Sequence, residues 1–292
     1  MMRRLCAKLA VVATVVAASV LVSGPAATAG PPRHTPPDLV VLGDSFAAGT
    51  GNTPYIDAGC GRSKQAAYGE RLEQVRLVTL QAFPACGGDT TVEVAGQVDA
   101  ITDATDVVTV QALGNDYHFG DLARLCIGAD CSPGQGFGPG TVGDLLASIP
   151  LTAPGKLDVL FGRVSDRIAQ VHSKARVIVV DYGDPFPDPT GYVGPFCPYM
   201  TAAELGVARD FAGALNKALK DAATKWKFSY ADAAPRFRGL DICGFAPAFF
   251  RPTLPEPYPQ LPGTSDDPSG ALHPNKLGQG IYAAVLAGRL YS

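Results

Sequence analysis

Beyond its first thirty positions, this 292-residue chain has no run long and apolar enough to cross a bilayer, which takes about twenty residues. It has no basic patch either, which argues against a reader of nucleic acid or of anionic lipid. Histidine is scarce, four in all. No two cysteines stand at the CxxC spacing of a zinc site, so a metal centre is not implied. The pair Gly134 and Gly136 begins like a dinucleotide fingerprint. No strand precedes it, however, and Pro139 stands where the last glycine belongs. A GxSxG elbow is also missing, which removes the α/β-hydrolase route to a serine nucleophile. Neither an internal repeat nor a linker divides the chain.

The amino terminus reads as an export signal. Arg3, Arg4 and Lys8 make a basic start, Leu9 to Val22 is apolar, and Ala27-Thr28-Ala29 is a small-residue cleavage pattern. Residues 1–29 are therefore expected to leave as a signal peptide, with a retained anchor as the alternative. A single domain of residues 30–292 remains. Removing three of the 24 basic residues leaves 21 against 27 acidic ones, a net charge of −6. Six cysteines stay: Cys60, Cys86, Cys126, Cys131, Cys197 and Cys243. An even count in an exported chain favours disulfides, although counting alone leaves the connectivity open. The expectation is a secreted protein and a monomer, with possible retention at the cell envelope.

Short apolar runs alternate with helical patterns. Leu39–Leu42, Leu77–Phe83, Val107–Leu113, Arg176–Asp181 and Phe228–Ala231 read as strands, mostly continuous rather than alternating in polarity. Helices are expected over 66–74, after Thr90 with Glu93 completing a capping box, and over 157–172, 201–226 and 275–291. Cys126 to Gly143 reads as a glycine-rich loop, and Phe245 to Gly270 as proline-rich and irregular. This alternation predicts an α/β fold, a three-layer α/β/α sandwich around a mostly parallel sheet.

In such sheets ligands gather at the carboxyl ends of the strands. There the first strand delivers Gly43-Asp44-Ser45, the second Cys86-Gly87-Gly88 and the third Gly114-Asn115-Asp116, while His273 arrives just before the last helix. A serine hydroxyl is a poor nucleophile until a base takes its proton, and histidine titrates near the working pH. Attack on an ester carbonyl puts negative charge on oxygen, which fixed N–H donors stabilise. Ser45 and His273 are the candidates for nucleophile and base. The N–H groups of Ser45 and Gly88, with the Asn115 amide, are the candidates for the oxyanion donors. Asp44 and Asp116 read as turn-stabilising carboxylates. His118 is a lesser candidate for touching substrate, and His34 and His172 read as surface residues.

At these residues the chain resembles the SGNH (GDSL) hydrolase family, named for a serine, a glycine, an asparagine and a histidine in four separated blocks. The blocks stand here as GDSFAAGTG, ACGGDTT, ALGNDYHFG and LHPNKLGQG, carrying Ser45, Gly88, Asn115 and His273 in family order. Gly87 is the less favoured oxyanion glycine. The resemblance implies a flavodoxin-like α/β/α fold, a carboxylic ester hydrolase working through an acyl-enzyme, and no metal or organic cofactor. The cysteines look like those of secreted actinobacterial lipases and esterases, which implies the pairs Cys60–Cys86, Cys126–Cys131 and Cys197–Cys243.

One position departs from the pattern. The family usually has an aspartate three residues before the histidine, and this chain has Gly270. The carbonyl of Gly270 is expected to orient the ring instead, with Asp267 or Asp266 as alternatives. Phe249, Phe250, Leu254, Tyr258 and Leu261 make either an apolar wall for acyl chains or a packed loop. Two other readings stay open: an esterase acting on acylated carbohydrate at the cell surface, and a binding protein that kept the fold and lost the activity.

Overall fold

The computed structural model describes residues 35–188, 200–254, 260 and 262–291. Its fold belongs to the unit that runs from Pro36 onward. Five strands form the central sheet: β1 (Asp38–Gly43), β2 (Thr79–Ala82), β3 (Val107–Gln111), β4 (Arg176–Val180) and β5 (Ser229–Ala231). The order across the sheet is β2-β1-β3-β4-β5, and every neighbouring pair is parallel. That is the flavodoxin-like winding, whose topological switch lies between β1 and β3. Every residue of β1 from Leu39 to Gly43 is buried, as is all of β3. Such continuous apolar runs mark strands covered on both faces.

The helices are α1 (Ser45–Ala48), α2 (Tyr68–Gln74), α3 (Thr91–Gly96), α4 (Phe119–Gly128), α5 (Val142–Gln170), α6 (Ala202–Trp226) and α7 (Lys276–Ala287). Right-handed crossovers sort them. The β1-to-β2 connection puts α2 on one face, where α7 packs against it. Connections running the other way put α3, α4, α5 and α6 on the opposite face, with α5 packed on both α3 and α6. The result is the α/β/α sandwich. No helix among the described residues is long and apolar enough to cross a membrane.

Local signals explain most boundaries. Thr90 and Glu93 form the expected capping box of α3, and Thr201 with Glu204 forms another at α6. Two stretches differ from expectation. The presumed loop from Cys126 to Gly143 begins inside α4, whose residues Leu122, Ala123, Cys126 and Ile127 are buried, and its end is the start of α5. Helix α5 starts fifteen residues ahead of the expected start at Leu157 and contains Pro150 and Pro154, the residues that read as breakers in the sequence. Both prolines are exposed, while Ile149, Ala153 and Leu157 stay buried at helical spacing. Each proline removes one backbone donor. Nearby, the Ser148 and Thr152 hydroxyls donate to the carbonyls of Leu145 and Ser148 at 2.7 and 2.9 Å. Packing of the apolar face outweighs the two breaker residues.

Disulfides join Cys60 to Cys86 and Cys126 to Cys131. Cys197 lies outside the described residues, and the expected Cys197–Cys243 pair with it. The same holds for Tyr258, Leu261 and His34. Phe249 is fully buried against Phe237 in the core, whereas Leu254 borders a cavity beside His273.

Candidate active site

Ser45 opens α1 immediately after β1. Asp44 is the N-cap and takes the Phe46 N–H at 3.0 Å, so the turn reading of Asp44 holds. Its other oxygen accepts the Tyr182 hydroxyl, which in turn accepts the Gly114 N–H at 3.0 Å. Tyr182, just past β4, thus ties the serine turn to the asparagine turn. Burial pushes the Asp44 carboxyl up to about 7, against the pull of Tyr182 and of the Phe46 N–H.

His273 reaches Ser45 from the other end of the chain, with Nε2 2.7 Å from Oγ. Nδ1 lies 3.0 Å from the Ala271 carbonyl. A carbonyl oxygen only accepts, so Nδ1 carries the proton and Nε2 offers its lone pair to the serine hydroxyl. Leu272, between the two, is in the left-handed region at φ 63°. The Phe46 ring packs tilted against the imidazole, with ring centroids 5.2 Å apart. Burial lowers the His273 pKa to about 4, opposed by the Ala271 and Gly270 carbonyls and by the charge of Asp267. At neutral pH the ring is therefore uncharged.

The expected orienting group is corrected in its position. A backbone carbonyl does hold the ring, but it is that of Ala271. The Gly270 carbonyl accepts the His273 backbone N–H at 2.9 Å and adds a smaller pull on the ring. Nor does Asp267 bond to the imidazole: its carboxylate takes the Tyr55 hydroxyl at 2.6 Å and the Ser269 N–H at 2.9 Å. Asp266 is exposed. The structure also shows why no acid fits at position 270. A Cβ there would lie 2.6 Å from the Gly51 Cα and 2.6 Å from Ser265 Oγ. The serine loop and the histidine loop touch backbone to backbone.

The oxyanion candidates meet at the same edge. Gly87 gives its N–H to the Cys60 carbonyl at 2.8 Å. The N–H groups of Gly88 and Ser45 have no acceptor among the described residues. Gly88 sits at φ +89°, a conformation that side chains resist even though nothing lies within 4 Å of a Cβ there. Asn115 donates one amide hydrogen to the Asp89 carbonyl at 2.9 Å, which leaves the second free. Gln97 fixes the floor: it bonds both polar backbone groups of Gly43, at 2.8 and 2.9 Å, and Asp89 at 2.7 Å.

Several of these supports carry no sequence motif. Asn52 is buried and donates to the Pro274 carbonyl at 2.9 Å, joining the serine loop to the histidine block. Gln279 of α7 donates to the Phe46 carbonyl at 2.8 Å and accepts the Tyr68 N–H at 3.0 Å. Only their placement next to a block pointed to them. His118, by contrast, is exposed, 3.8 Å from Asp121, and does not line the cavity that His273 borders.

An apolar cavity of about 470 Å³ has His273 in its wall, though not Ser45. A larger polar cleft of about 640 Å³ touches neither Ser45 nor His273. Its carboxylates include Asp184, Asp232 and Asp241, and among the described residues no cluster suits a metal ion.

Residues 41–281 match the GDSL-like lipase/acylhydrolase family. The chain belongs to that family. It is accordingly a carboxylic ester hydrolase by membership. Lipase 1 of Streptomyces coelicolor is 27% identical over 238 residues, 80% of this chain and 83% of the relative. The lipase of Streptomyces rimosus is 28% identical over 243 residues, with the same coverage. Among solved structures, the extracellular lipase of Streptomyces rimosus superposes with a TM-score of 0.67 at 25% identity, covering 86% of this chain and 99% of that one.

Proposed function

We propose that this GDSL-family chain is an exported serine esterase that cleaves carboxylic esters through an acyl-enzyme on Ser45. The observation that carries the reading is the 2.7 Å contact between Ser45 Oγ and His273 Nε2, in a ring whose other nitrogen is committed to a carbonyl.

Oγ attacks the ester carbon as its proton passes to Nε2. The oxygen that gains charge accepts hydrogen bonds from the Ser45 and Gly88 N–H groups and the free Asn115 amide hydrogen. Collapse of the tetrahedral intermediate breaks the bond to the alcohol oxygen, which leaves with the proton held on Nε2. Water then attacks the acyl-enzyme, giving its proton to Nε2, and Ser45 recovers its proton as the acid departs. Asp267 supports the imidazolium by its charge rather than by contact. Export through removal of residues 1–29 is supported by the basic start and apolar run, by the disulfides, and by the extracellular relative.

The test is hydrolysis of p-nitrophenyl esters from acetate to palmitate by the mature protein and its Ser45→Ala and His273→Ala variants. Both variants are expected to lose several orders of magnitude in kcat. A parent no faster than Ser45→Ala at every chain length overturns the reading.

A further inference from the structure

Ser45, Gly88 and Asn115 follow three different strands, β1, β2 and β3, so their mutual placement has to be fixed by contacts between loops. Strand β2 ends at Ala82, opposite Val40, while β1 continues to Gly43. The side chain of Gln97, just past α3, takes the place beside Gly43 that a further β2 residue would fill. Its Oε1 accepts the Gly43 N–H at 2.8 Å, and its Nε2 donates to the Gly43 carbonyl at 2.9 Å. The second Nε2 hydrogen goes to Asp89 Oδ2 at 2.7 Å. With both donors and the acceptor engaged, the amide has one orientation that satisfies its partners.

Asp89 carries this restraint onward. Its backbone N–H donates to the Cys86 carbonyl at 3.3 Å, and its carbonyl accepts the Asn115 amide at 2.9 Å. Gly88 is held from both sides, because the Gly87 N–H donates to the Cys60 carbonyl at 2.8 Å. We infer, resting on the esterase reading above, that Gln97 is a positioning residue: through Asp89 it places the Gly88 N–H and the Asn115 amide relative to Ser45. Gly43 lies two residues before Ser45, so one side chain links the serine turn to both other donors. The hydrogen bonds of Gln97 go to Gly43 and Asp89, and its effect passes through them.

The contact also fixes where a charge sits. The Asp89 carboxylate is next in sequence to Gly88, and an oxyanion held there is repelled by any negative charge that approaches it. Glu93 is the further acid beside Asp89, and Arg62 the nearby cation. Placement of this kind acts on the transition state, because the substrate oxygen gains its charge only there. It is kcat that should respond, and not KM.

The experiment measures kcat and KM for p-nitrophenyl hexanoate, with thermal melts, across the parent, Gln97→Glu, Asp89→Ala and the double variant Asp89→Asn/Gln97→Glu. In Gln97→Glu an oxygen replaces Nε2 and faces the Gly43 carbonyl and the Asp89 carboxylate. Its kcat is expected to fall about a hundredfold, the effect of losing one oxyanion donor, with KM within about twofold of the parent. Asp89→Ala removes the same bond from the other end and leaves Gln97 on Gly43. It should lower kcat about tenfold, and it decides the question if Gln97→Glu does not fold. The double variant exchanges donor and acceptor. The new amide at position 89 donates to the new carboxylate at 97, which still accepts the Gly43 N–H, while the Gly43 carbonyl keeps the Cys86 N–H at 3.0 Å. Its kcat should recover by about fivefold or more over Gln97→Glu. The inhibition constant of a hexyl trifluoromethyl ketone, whose adduct on the serine carries an oxyanion, should rise about tenfold or more in Gln97→Glu. Parent-like kcat in both single variants, an unchanged inhibition constant, or a double variant no faster than Gln97→Glu overturns the positioning role and leaves the esterase reading standing. A parent as slow as Ser45→Ala overturns the esterase reading and this inference with it.

Discussion

At the residue scale, the departure at position 270 is a packing consequence. The Gly270–Gly51 contact leaves no room for a side chain, and the carbonyl of Ala271 serves where a carboxylate otherwise would. Restoring the family acid by Gly270→Asp is therefore expected to lower both activity and melting temperature. Overpacking of this kind costs about 1–3 kcal/mol. Thermal melts with parallel kinetics check it, and a faster, equally stable variant would show that the loops can part. The ring's environment also sets a pH dependence. In the proposed mechanism His273 takes the serine proton only when neutral, and burial lowers its pKa from 6.5 to about 4. The free enzyme should thus keep kcat/KM below pH 6.5 and lose it as the pH falls toward 4, provided the fold persists. In Asp267→Asn the charge that raises this pKa is gone. The acid limb should move lower still, while kcat falls because the imidazolium is less well supported. A limb that moves upward would contradict the assigned influence of Asp267.

At the scale of elements, Asp116 connects three of them. It follows β3, accepts the Thr91 N–H and hydroxyl at the start of α3, both at 2.8 Å, and pairs with Lys156 of α5 at 3.1 Å. Its side chain is 1% exposed. The sequence reading made Asp116 a local turn carboxylate, but its partners are 25 and 40 residues away in the chain. Asp116→Ala would strand buried donors, at about 1–3 kcal/mol. It would also loosen the segment holding Gly88 and Asn115. A lower denaturation midpoint with a kcat loss at unchanged KM is the expected pattern. Helix boundaries were readable where a cap or a clean apolar period was present, as at Thr90 and Thr201. They were misread at α4 and α5, where glycine and proline are local signals against helix that tertiary burial of Ile127, Ile149 and Ala153 overrides.

At the scale of the whole molecule, the Cys60–Cys86 disulfide couples stability to the site. It closes a loop across 26 positions, which constrains the unfolded chain by about 3–4 kcal/mol. The Cys60 carbonyl also holds the N–H of Gly87, the residue next to Gly88. Reduction is expected to lower the melting temperature and, at temperatures where the chain stays folded, to reduce ester turnover. Scans and assays with and without dithiothreitol measure both.

The order of the five central strands and the four blocks were legible from the amino acids alone, while helix α4 was not. Each rests on contiguous residues: an apolar run, a cap, or a small-residue turn after a strand. Such signals survive without knowing what lies opposite. The ring's actual acceptor, the bridging hydroxyl of Tyr182, and the ties made by Asn52, Gln97 and Gln279 were not legible. A backbone carbonyl takes its direction from the ψ of its own residue and the φ of the next, here the left-handed Leu272. A buried amide takes its partner from whichever loop packs beside it. Those choices were made only when the serine and histidine loops, more than two hundred residues apart in the chain, came into contact at Gly51 and Gly270.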